Sequence, residues 1–247
     1  MKELESFLRW LRDRSRLRQN AGVGADNDLL AGVRAARRSL SANGPRRARS
    51  DGDFVRVSLP DADADALRDL LLGERPRIVI EIGLAYASSA LAIAEALIAI
   101  GSDEAKHLII DVHQDQFHGA GWEAIVQTGL DCLCSLIPER SQIALSRLLD
   151  DGFLADAAFV DGSHIFHNVF VDLFYLRELV RPGGLIILDD CHLPSVATAA
   201  RYFEVNTGWK AEPVTSSSRL RAFRTPNPRV EPSFESFRPF GLDTSAG

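Results

Sequence analysis

The stretch 157-AAFVDGSHIFHNVFVDLFYLRELVRPGGLIILDDCHLPSV-196 indicates the fold, because it contains two apolar strands that end on carboxylates. Asp161 follows the first strand, and Asp189 and Asp190 follow the second. Parallel strands of an α/β sheet present their carboxyl ends to one ligand-binding crevice. We therefore expect the three acids to converge in that crevice.

Converging carboxylates require a cation, a shared proton or a wider separation. Two carboxylates about 4 Å apart repel each other by roughly 4 kcal/mol at an effective dielectric constant of about 20. Oxygen ligands favour Mg²⁺ or another hard divalent cation over zinc. The pattern thus predicts a metal site, and the alternative is that Asp190 caps the next helix while Asp161 ends its strand in solvent.

Composition indicates one α/β domain. The chain has 247 residues, of which 46% are apolar, enough for one sizeable core. Its three cysteines include no CxxC pair, which argues against a disulfide framework or a zinc site and favours a reducing cytoplasm. The N-terminus has charges throughout and no apolar run of signal-peptide length. The apolar residues 78–100 are interrupted by Glu81, Gly83 and Glu95, so we expect a strand and a helix there rather than a membrane span.

Residues 1–50 differ from the rest of the chain in charge. They hold twelve Lys and Arg but five acids, a net charge of +7, whereas the remainder carries −13. Helical spacing predicts helices near residues 4–11 and over 28–40, followed by a linker at 41–53. The arginines could bind nucleic acid or an anionic membrane, or they could pack on the acidic domain or a partner subunit. The acidic remainder would repel phosphate, so we favour packing and expect no nucleic-acid or membrane partner.

From residue 54 onward, strand and helix patterns alternate, which predicts a mostly parallel sheet covered on both faces. The predicted strands are 77–83, 107–111, 132–137, 157–161, 184–189, 209–215 and 219–224. The predicted helices are 61–72, 88–100, 121–129, 142–149, 169–179 and 195–204. The tail from Pro226 onward is expected to be irregular.

The loop after the first strand suggests the ligand. Gly83 is followed by LAYASSA, without the second and third glycines of a dinucleotide site, so NAD is disfavoured. Glu81 beside small residues suits a ligand with an ammonium and a carboxylate, and Asp111 could accept hydrogen bonds from a ribose. Alternatively, Glu81 caps a helix and Asp111 starts a turn. Together the two acids indicate an amino acid joined to a nucleoside.

Four motifs carry a family resemblance. VIEIGLAYASSALAI, IIDVHQ, AFVDGSH and RPGGLIILDD resemble the class I S-adenosylmethionine-dependent methyltransferases, within them a bacterial O-methyltransferase group related to macrolide-sugar and catechol O-methyltransferases. The resemblance covers about residues 55–224. It implies a Rossmann-like fold with a mostly parallel seven-stranded sheet, helices on both faces and a C-terminal antiparallel strand. It also implies that residues 51–247 form the S-adenosylmethionine-binding methyltransferase domain and that the protein is a dimer, with residues 1–50 as a helical lid or oligomerisation arm.

The resemblance also assigns roles to residues. It implies that Asp111 binds the ribose and that Ser141 and Gln142 border the adenine. The implied cofactor-binding residues are Glu81, Gly83, Ala85, Tyr86, Ser89, Asp111, Ser141, Gln142 and Asp161, and the implied metal ligands are Asp161, Asp189 and Asp190. Ala87 departs from the pattern, because relatives usually have glycine there, and a required positive φ would strain it.

Histidines are the candidate catalytic bases. His164 stands where the catechol enzyme has its catalytic lysine, and His192 is an alternative base or a loop residue on the rim. His107 is expected to be a surface or helix-face residue. The resemblance implies methyl transfer from S-adenosylmethionine to a hydroxyl of a small molecule, such as a sugar or a phenol, assisted by Mg²⁺. The alternatives are a metal-independent methyltransferase acting on another nucleophile and a noncatalytic S-adenosylmethionine-binding protein.

Overall fold

The computed structural model describes residues 23–215, 217 and 219–241. The helix predicted at residues 4–11 lies outside these ranges. The strands are β1 (Ile78–Ile82), β2 (Lys106–Ile110), β3 (Cys134–Ile137), β4 (Ala155–Val160), β5 (Val180–Leu188), β6 (Lys210–Glu212) and β7 (Arg221–Arg224). They form one sheet in the order β3-β2-β1-β4-β5-β7-β6, and β7 pairs antiparallel with both of its neighbours. The predicted Rossmann-like sheet with a reversed C-terminal strand is confirmed.

Helices cover both faces of this sheet. They are α1 (Val23–Asn43), α2 (Asp53–Val57), α3 (Asp61–Glu74), α4 (Ser88–Ile100), α5 (Ala120–Gln127), α6 (Ser141–Asp150), α7 (Phe166–Leu179) and α8 (Pro194–Thr207), with 3₁₀ turns at Leu130–Cys132 and Phe234–Ser236. Side chains of β1 alternate between two cores, because successive strand residues point to opposite faces. Val79 packs with α1, α3 and α4 in one core, whereas Ile80 and Ile82 pack with α6, α7 and α8 in the other.

Several boundaries differ from those predicted. The 3₁₀ turn Leu130–Cys132 occupies the start of the predicted third strand, directly after Gly129 with a φ of 73°. The short helix α2 begins at the end of the segment predicted as a linker. β5 begins at Val180, earlier than predicted, and its pairing with β4 shifts register between Ala155 and Ala157.

The described part of the basic N-terminal segment packs on α4. Val33 of α1 is fully buried in the core. Arg34 Nε lies 2.8 Å from Glu95 Oε1, and Arg37 Nη1 lies 2.5 Å from Glu95 Oε2. Arg37 also bonds Asp65 at 2.7 Å. These contacts are the kind expected of a basic face that packs on the acidic remainder of the chain. Within the described ranges, the helices are too short or too polar to cross a bilayer.

Candidate active site

A cavity of about 860 Å³ opens at the carboxyl ends of β1, β2 and β4. It is also lined by Arg49 of the N-terminal segment and by Arg56 and residues 57–59, which follow that segment. The predicted site residues that line it are Gly83, Ala85, Tyr86, Ser89, Asp111, Ser141, Gln142, Asp161, His164, Asp190 and His192. Two other predicted residues, Glu81 and Asp189, lie behind its wall, with 0% and 2% exposure.

Gly83 sits where the β1 loop crosses the end of β4. Its N–H donates to the carbonyl of Ile110 at 2.9 Å, and its φ is 96°. A Cβ atom at this position would lie 2.2 Å from the carbonyl oxygen of Asp161. Both the conformation and the space therefore require glycine here.

The same loop holds two alanines in the left-handed region. Ala85 has a φ of 43°, and Ala87, which precedes the first residue of α4, has a φ of 73°. An L-residue in this conformation costs roughly 1–2 kcal/mol. The position where relatives usually have glycine thus does require positive φ, and strain of this kind clusters at functional sites.

Asp111 fixes the shape of this loop. Its Oδ2 accepts hydrogen bonds from the N–H groups of Leu84 at 2.9 Å and Ala85 at 3.1 Å. Its Oδ1 accepts from the His113 N–H at 2.6 Å. The carboxylate therefore binds the β1 loop and the β2 loop together at the cavity wall.

Tyr86 connects the loop to the N-terminal segment. Its hydroxyl donates to Asp53 Oδ2 at 2.5 Å and accepts from the Arg49 N–H at 2.9 Å. The guanidinium of Arg49 binds both oxygens of Asp53, at 2.8 and 2.9 Å. The Arg49 guanidinium and the Tyr86 hydroxyl lower the pKa of Asp53 to about 2. The buried phenol ring also packs edge-on against Phe54 and Phe117.

Ser141 and Gln142 begin α6 on the opposite wall of the cavity, beside α7. Gln142 Nε2 lies 3.5 Å from Asn168 Oδ1. Asp172 of α7 is 1% exposed, and its Oδ1 has no hydrogen-bond partner among the described residues. Burial raises the pKa of Asp172 to about 7, although a hydrogen bond with Ser141 acts in the opposite direction.

Asp161, His164 and Asp190 form the polar end of the cavity. Each offers one ligand atom, and these atoms lie within 4.8 Å of one another. His164 Nε2 lies 2.7 Å from Asp190 Oδ2 and 3.9 Å from Asp161 Oδ1. Two carboxylates and an imidazole are a donor set that divalent cations accept. His192 stands at the rim, with Nδ1 3.7 Å from Asp190 Oδ1.

The pKa values in this cluster are shifted by burial and by charge. Burial, with the nearby charges of Asp189 and Asp190, raises the pKa of Asp161 to about 7. The neighbouring carboxylates of Asp161 and Asp190 raise the pKa of His164 to about 10. The His164 imidazolium in turn lowers the pKa of Asp190. At neutral pH, His164 is therefore the positive charge between the two acids.

Asp189 is directed away from this cluster. Its Oδ1 lies 3.1 Å from Arg219 Nε, and its Oδ2 lies 2.6 Å from Arg219 Nη2. Arg219 Nη2 also bonds Asp190 Oδ1 at 2.8 Å. Of the three predicted metal ligands, the structure brings Asp161 and Asp190 together, adds His164, and pairs Asp189 with an arginine.

Sequence reasoning missed several residues at the site. Arg219, Arg49 and Asp53 lie in a predicted strand or linker, and their partners are distant in sequence. The expectation that His107 lies on the surface is wrong, since its side chain is fully buried against Glu81. The alternation of β2 offered a signal, because His107 shares a strand face with Ile109.

Comparison with known proteins confirms the predicted fold. Residues 80–191 match a family described as a methyltransferase domain. No curated protein matches the chain. The structure is similar to that of the O-methyltransferase TomG from Streptomyces achromogenes, involved in tomaymycin synthesis and solved with S-adenosylmethionine, with a TM-score of 0.58 and 16% identity over 78% of this chain and 88% of that chain.

Two further structures have the same fold. An O-methyltransferase from Bacillus cereus, solved with S-adenosylhomocysteine, gives a TM-score of 0.57 and 16% identity over 80% of this chain and 90% of that one. The Podospora anserina methyltransferase PaMTH1, also solved with S-adenosylhomocysteine, gives a TM-score of 0.58 and 14% identity over 78% of this chain and 87% of that chain. At these identities the structures establish the fold, whereas their ligands and reactions describe those proteins.

Proposed function

We propose that this chain, which contains a methyltransferase domain with the class I fold, transfers a methyl group from S-adenosylmethionine to a hydroxyl of a small molecule. One observation carries the proposal. A single cavity is bordered by the Gly83 loop, Asp111 and the start of α6, and it ends at Asp161, His164 and Asp190. Groups suited to a nucleoside, an amino acid and a reacting hydroxyl are thus arranged along one space.

The chain would act mainly by positioning. The sulfonium methyl group is already activated, so in-line alignment of the acceptor hydroxyl supplies most of the rate enhancement. Gly83 lets the β1 loop cross closely over the Asp161 backbone and so shapes the cofactor loop, Asp111 faces the ribose, and Ser141 with Gln142 borders the adenine. Tyr86 holds the N-terminal segment over the cofactor loop and so excludes water from the methionine end.

Proton transfer falls to the histidines at the polar end. His164 is protonated at neutral pH, because Asp161 and Asp190 raise its pKa to about 10. We therefore assign His192 as the proton acceptor and His164 as the positive charge that stabilises the developing alkoxide or phenolate. His192 stands at the rim of the same cavity, with its Nδ1 3.7 Å from Asp190 Oδ1.

Asp161, Asp190 and, in its neutral form, His164 are the residues that would hold a divalent cation such as Mg²⁺; binding of the cation would displace the His164 proton, so the imidazolium role belongs to metal-independent transfer. When bound, the cation would bind the substrate hydroxyl and lower its pKa. Metal-independent transfer is the second candidate, and the Arg219–Asp189 pair favours it, because the guanidinium already neutralises one of the predicted ligands.

The position of the N-terminal segment beside the cavity supports a role for it as a lid. Arg49 lines the cavity together with Arg56 and residues 57–59, so a residue that precedes the proposed domain boundary at residue 51 contributes to the cavity wall. We propose that residues 1–50 serve as a lid over the bound substrate or as an oligomerisation arm. Deletion of residues 1–50 would then reduce turnover more than cofactor affinity.

Titration calorimetry tests the proposal. We expect saturable binding of S-adenosylmethionine and S-adenosylhomocysteine to the full chain, with NAD as the control ligand that does not bind. The Asp111→Ala variant should bind both S-adenosylmethionine and S-adenosylhomocysteine with lower affinity. Absence of binding by the wild type would overturn the proposed function.

A further inference from the structure

A buried chain of polar side chains runs from the cavity wall into the core. The hydroxyl of Ser89 donates to Glu81 Oε1 at 2.5 Å. On the other side, Glu81 Oε2 lies 2.8 Å from His107 Nε2, a close contact without hydrogen-bond geometry, so neither atom has a hydrogen-bond partner among the described residues. His107 Nδ1 lies 3.5 Å from Cys134 Sγ. Of the four residues, Ser89 lines the cavity, so the chain connects the cavity with the interior of the sheet.

Strand register explains why these side chains meet. His107 of β2 is the partner of Val79 in β1 and of Cys134 in β3. Residues two apart in a strand share a face, so Glu81 projects to the same side as Val79 and reaches His107 diagonally. That side packs against α4, whose second residue is Ser89.

Stability alone does not account for this pair. The side chains of Glu81 and His107 are both 0% exposed. Burial of ionisable groups costs several kcal/mol each, and an apolar pair of similar volume is often equally or more stable. The surrounding core is apolar, with Val79 and Ile109 beside the pair. The placement therefore suggests a use at the end that meets the cavity.

We propose that His107 is a positioning residue for cofactor binding, acting through Glu81 and Ser89; this inference rests on the proposed function. The His107 ring lies against one oxygen of the Glu81 carboxylate and so restricts its orientation, and the other oxygen accepts the Ser89 hydroxyl proton. Because that proton is committed, Ser89 offers only lone pairs to the cavity. The Ser89 position then selects a donor with positive charge, the ammonium group at the amino-acid end of S-adenosylmethionine.

Two ligands separate this role from a general effect on the fold. S-Adenosylhomocysteine carries the ammonium, whereas 5′-methylthioadenosine has the nucleoside and sulfur without the amino acid. Calorimetry on the full chain should show that His107→Leu weakens binding of S-adenosylhomocysteine about tenfold, because the Glu81 carboxylate loses the close contact that orients it, while binding of 5′-methylthioadenosine is unaffected. His107→Gln, whose amide can replace Nε2, should recover most of the affinity.

Two further variants complete the test. Ser89→Ala should likewise weaken the affinity for S-adenosylhomocysteine but not for 5′-methylthioadenosine. The double variant with His107→Leu should have little further loss of affinity, because the two residues act through one path. Ile109→Val, on the same strand face, is the matched control for core destabilisation and should leave both affinities unchanged. If His107→Leu does not fold, Ser89→Ala and His107→Gln still decide the question.

The outcomes distinguish this inference from the proposed function. Failure of the wild type to bind S-adenosylhomocysteine would overturn the proposed function. The positioning role is wrong if the wild type binds S-adenosylhomocysteine and His107→Leu weakens the affinity for both ligands equally or for neither. Equal weakening of both ligands by Ser89→Ala would likewise contradict selection of the ammonium.

Discussion

The guanidinium of Arg219 and the carboxylate of Asp189 form a two-point ion pair, with N–O distances of 3.1 and 2.6 Å. Asp189 follows β5, and Arg219 precedes β7, so the pair joins the parallel part of the sheet to its reversed strand. Since the Asp189 side chain is 0% exposed, the pair is well shielded from water at the acid. Arg219 Nη2 contacts both Asp189 and Asp190, but of these two acids only Asp190 belongs to the group with Asp161 and His164, which separates the roles of two neighbours in sequence.

This separation predicts different effects of two substitutions on metal binding. Asp190→Asn should weaken Mn²⁺ binding at least about tenfold, because it removes a charged ligand from the group with Asp161 and His164. Asp189→Asn should change the affinity less than about twofold, but it should lower stability by about 1–3 kcal/mol through the weakened Arg219 pair. Electron paramagnetic resonance of Mn²⁺ measures the first effect and thermal unfolding the second. Loss of Mn²⁺ by a folded Asp189→Asn variant would restore Asp189 to the ligand set.

The backbone conformation of Ala87 leads us to predict that glycine at this position stabilises the protein. Its φ of 73° lies in the left-handed region that glycine adopts without a steric penalty. Ala87→Gly should therefore raise the free energy of unfolding by about 0.5–1 kcal/mol after the loss of one buried methyl group. Urea denaturation measures it. The matched control is Ala90→Gly in α4, which should destabilise by about 1 kcal/mol or more, and an Ala87→Gly variant less stable than the wild type would show that the loop carries no such strain.

The sequence predicts correctly those elements of the fold that depend on a local pattern of residues. The predicted helix at 88–100 matches α4, because its start follows the strand loop and Gly101 ends it. Asp161 and Asp190 meet as expected, since both follow parallel strands. Arg219 could not be assigned, because its pairing depends on β7 lying beside β5, which is a property of the whole sheet. His107 was misplaced because a histidine in a strand reveals its partner only through the register with β1.

Tyr86 predicts how the N-terminal segment is held. Tyr86→Phe keeps the ring contacts with Phe54 and Phe117 but removes the hydroxyl that bonds Asp53 and Arg49. We expect the free energy of unfolding to fall by about 1.5–3 kcal/mol, the range for hydrogen bonds to charged groups. Hydrogen exchange at the Arg49 amide should also become faster. Exchange measured by mass spectrometry over residues 44–58 tests this. Tyr202→Phe, in the aromatic cluster of α7 and α8, is the control, and unchanged protection of the segment in Tyr86→Phe would contradict the proposed anchor.

Asp172 predicts a pH dependence of stability. Burial raises its pKa from 3.8 to about 7, so between about pH 4 and 7 the folded state binds a proton that the unfolded chain has released. The contribution of this group therefore falls as pH rises through that window, and it is fully lost above pH 7. Asp172→Asn, which resembles the protonated acid, should be more stable than the wild type at pH 8, by on the order of 2–4 kcal/mol, with little difference at pH 4.

Asp156 is the matched control with the opposite sign. Burial acts to raise its pKa, but the N–H groups of Ile78 and Arg77 and the Arg181 guanidinium outweigh burial and lower it. Asp156→Asn should therefore destabilise the protein at pH 8, where the charged carboxylate accepts those hydrogen bonds. Urea denaturation at pH 4, 6 and 8 compares the two variants. A wild type whose stability relative to Asp172→Asn does not change between pH 4 and 8 would mean that Asp172 is ionised in the folded state. Its Oδ1 would then require a partner from the bound ligand or from solvent.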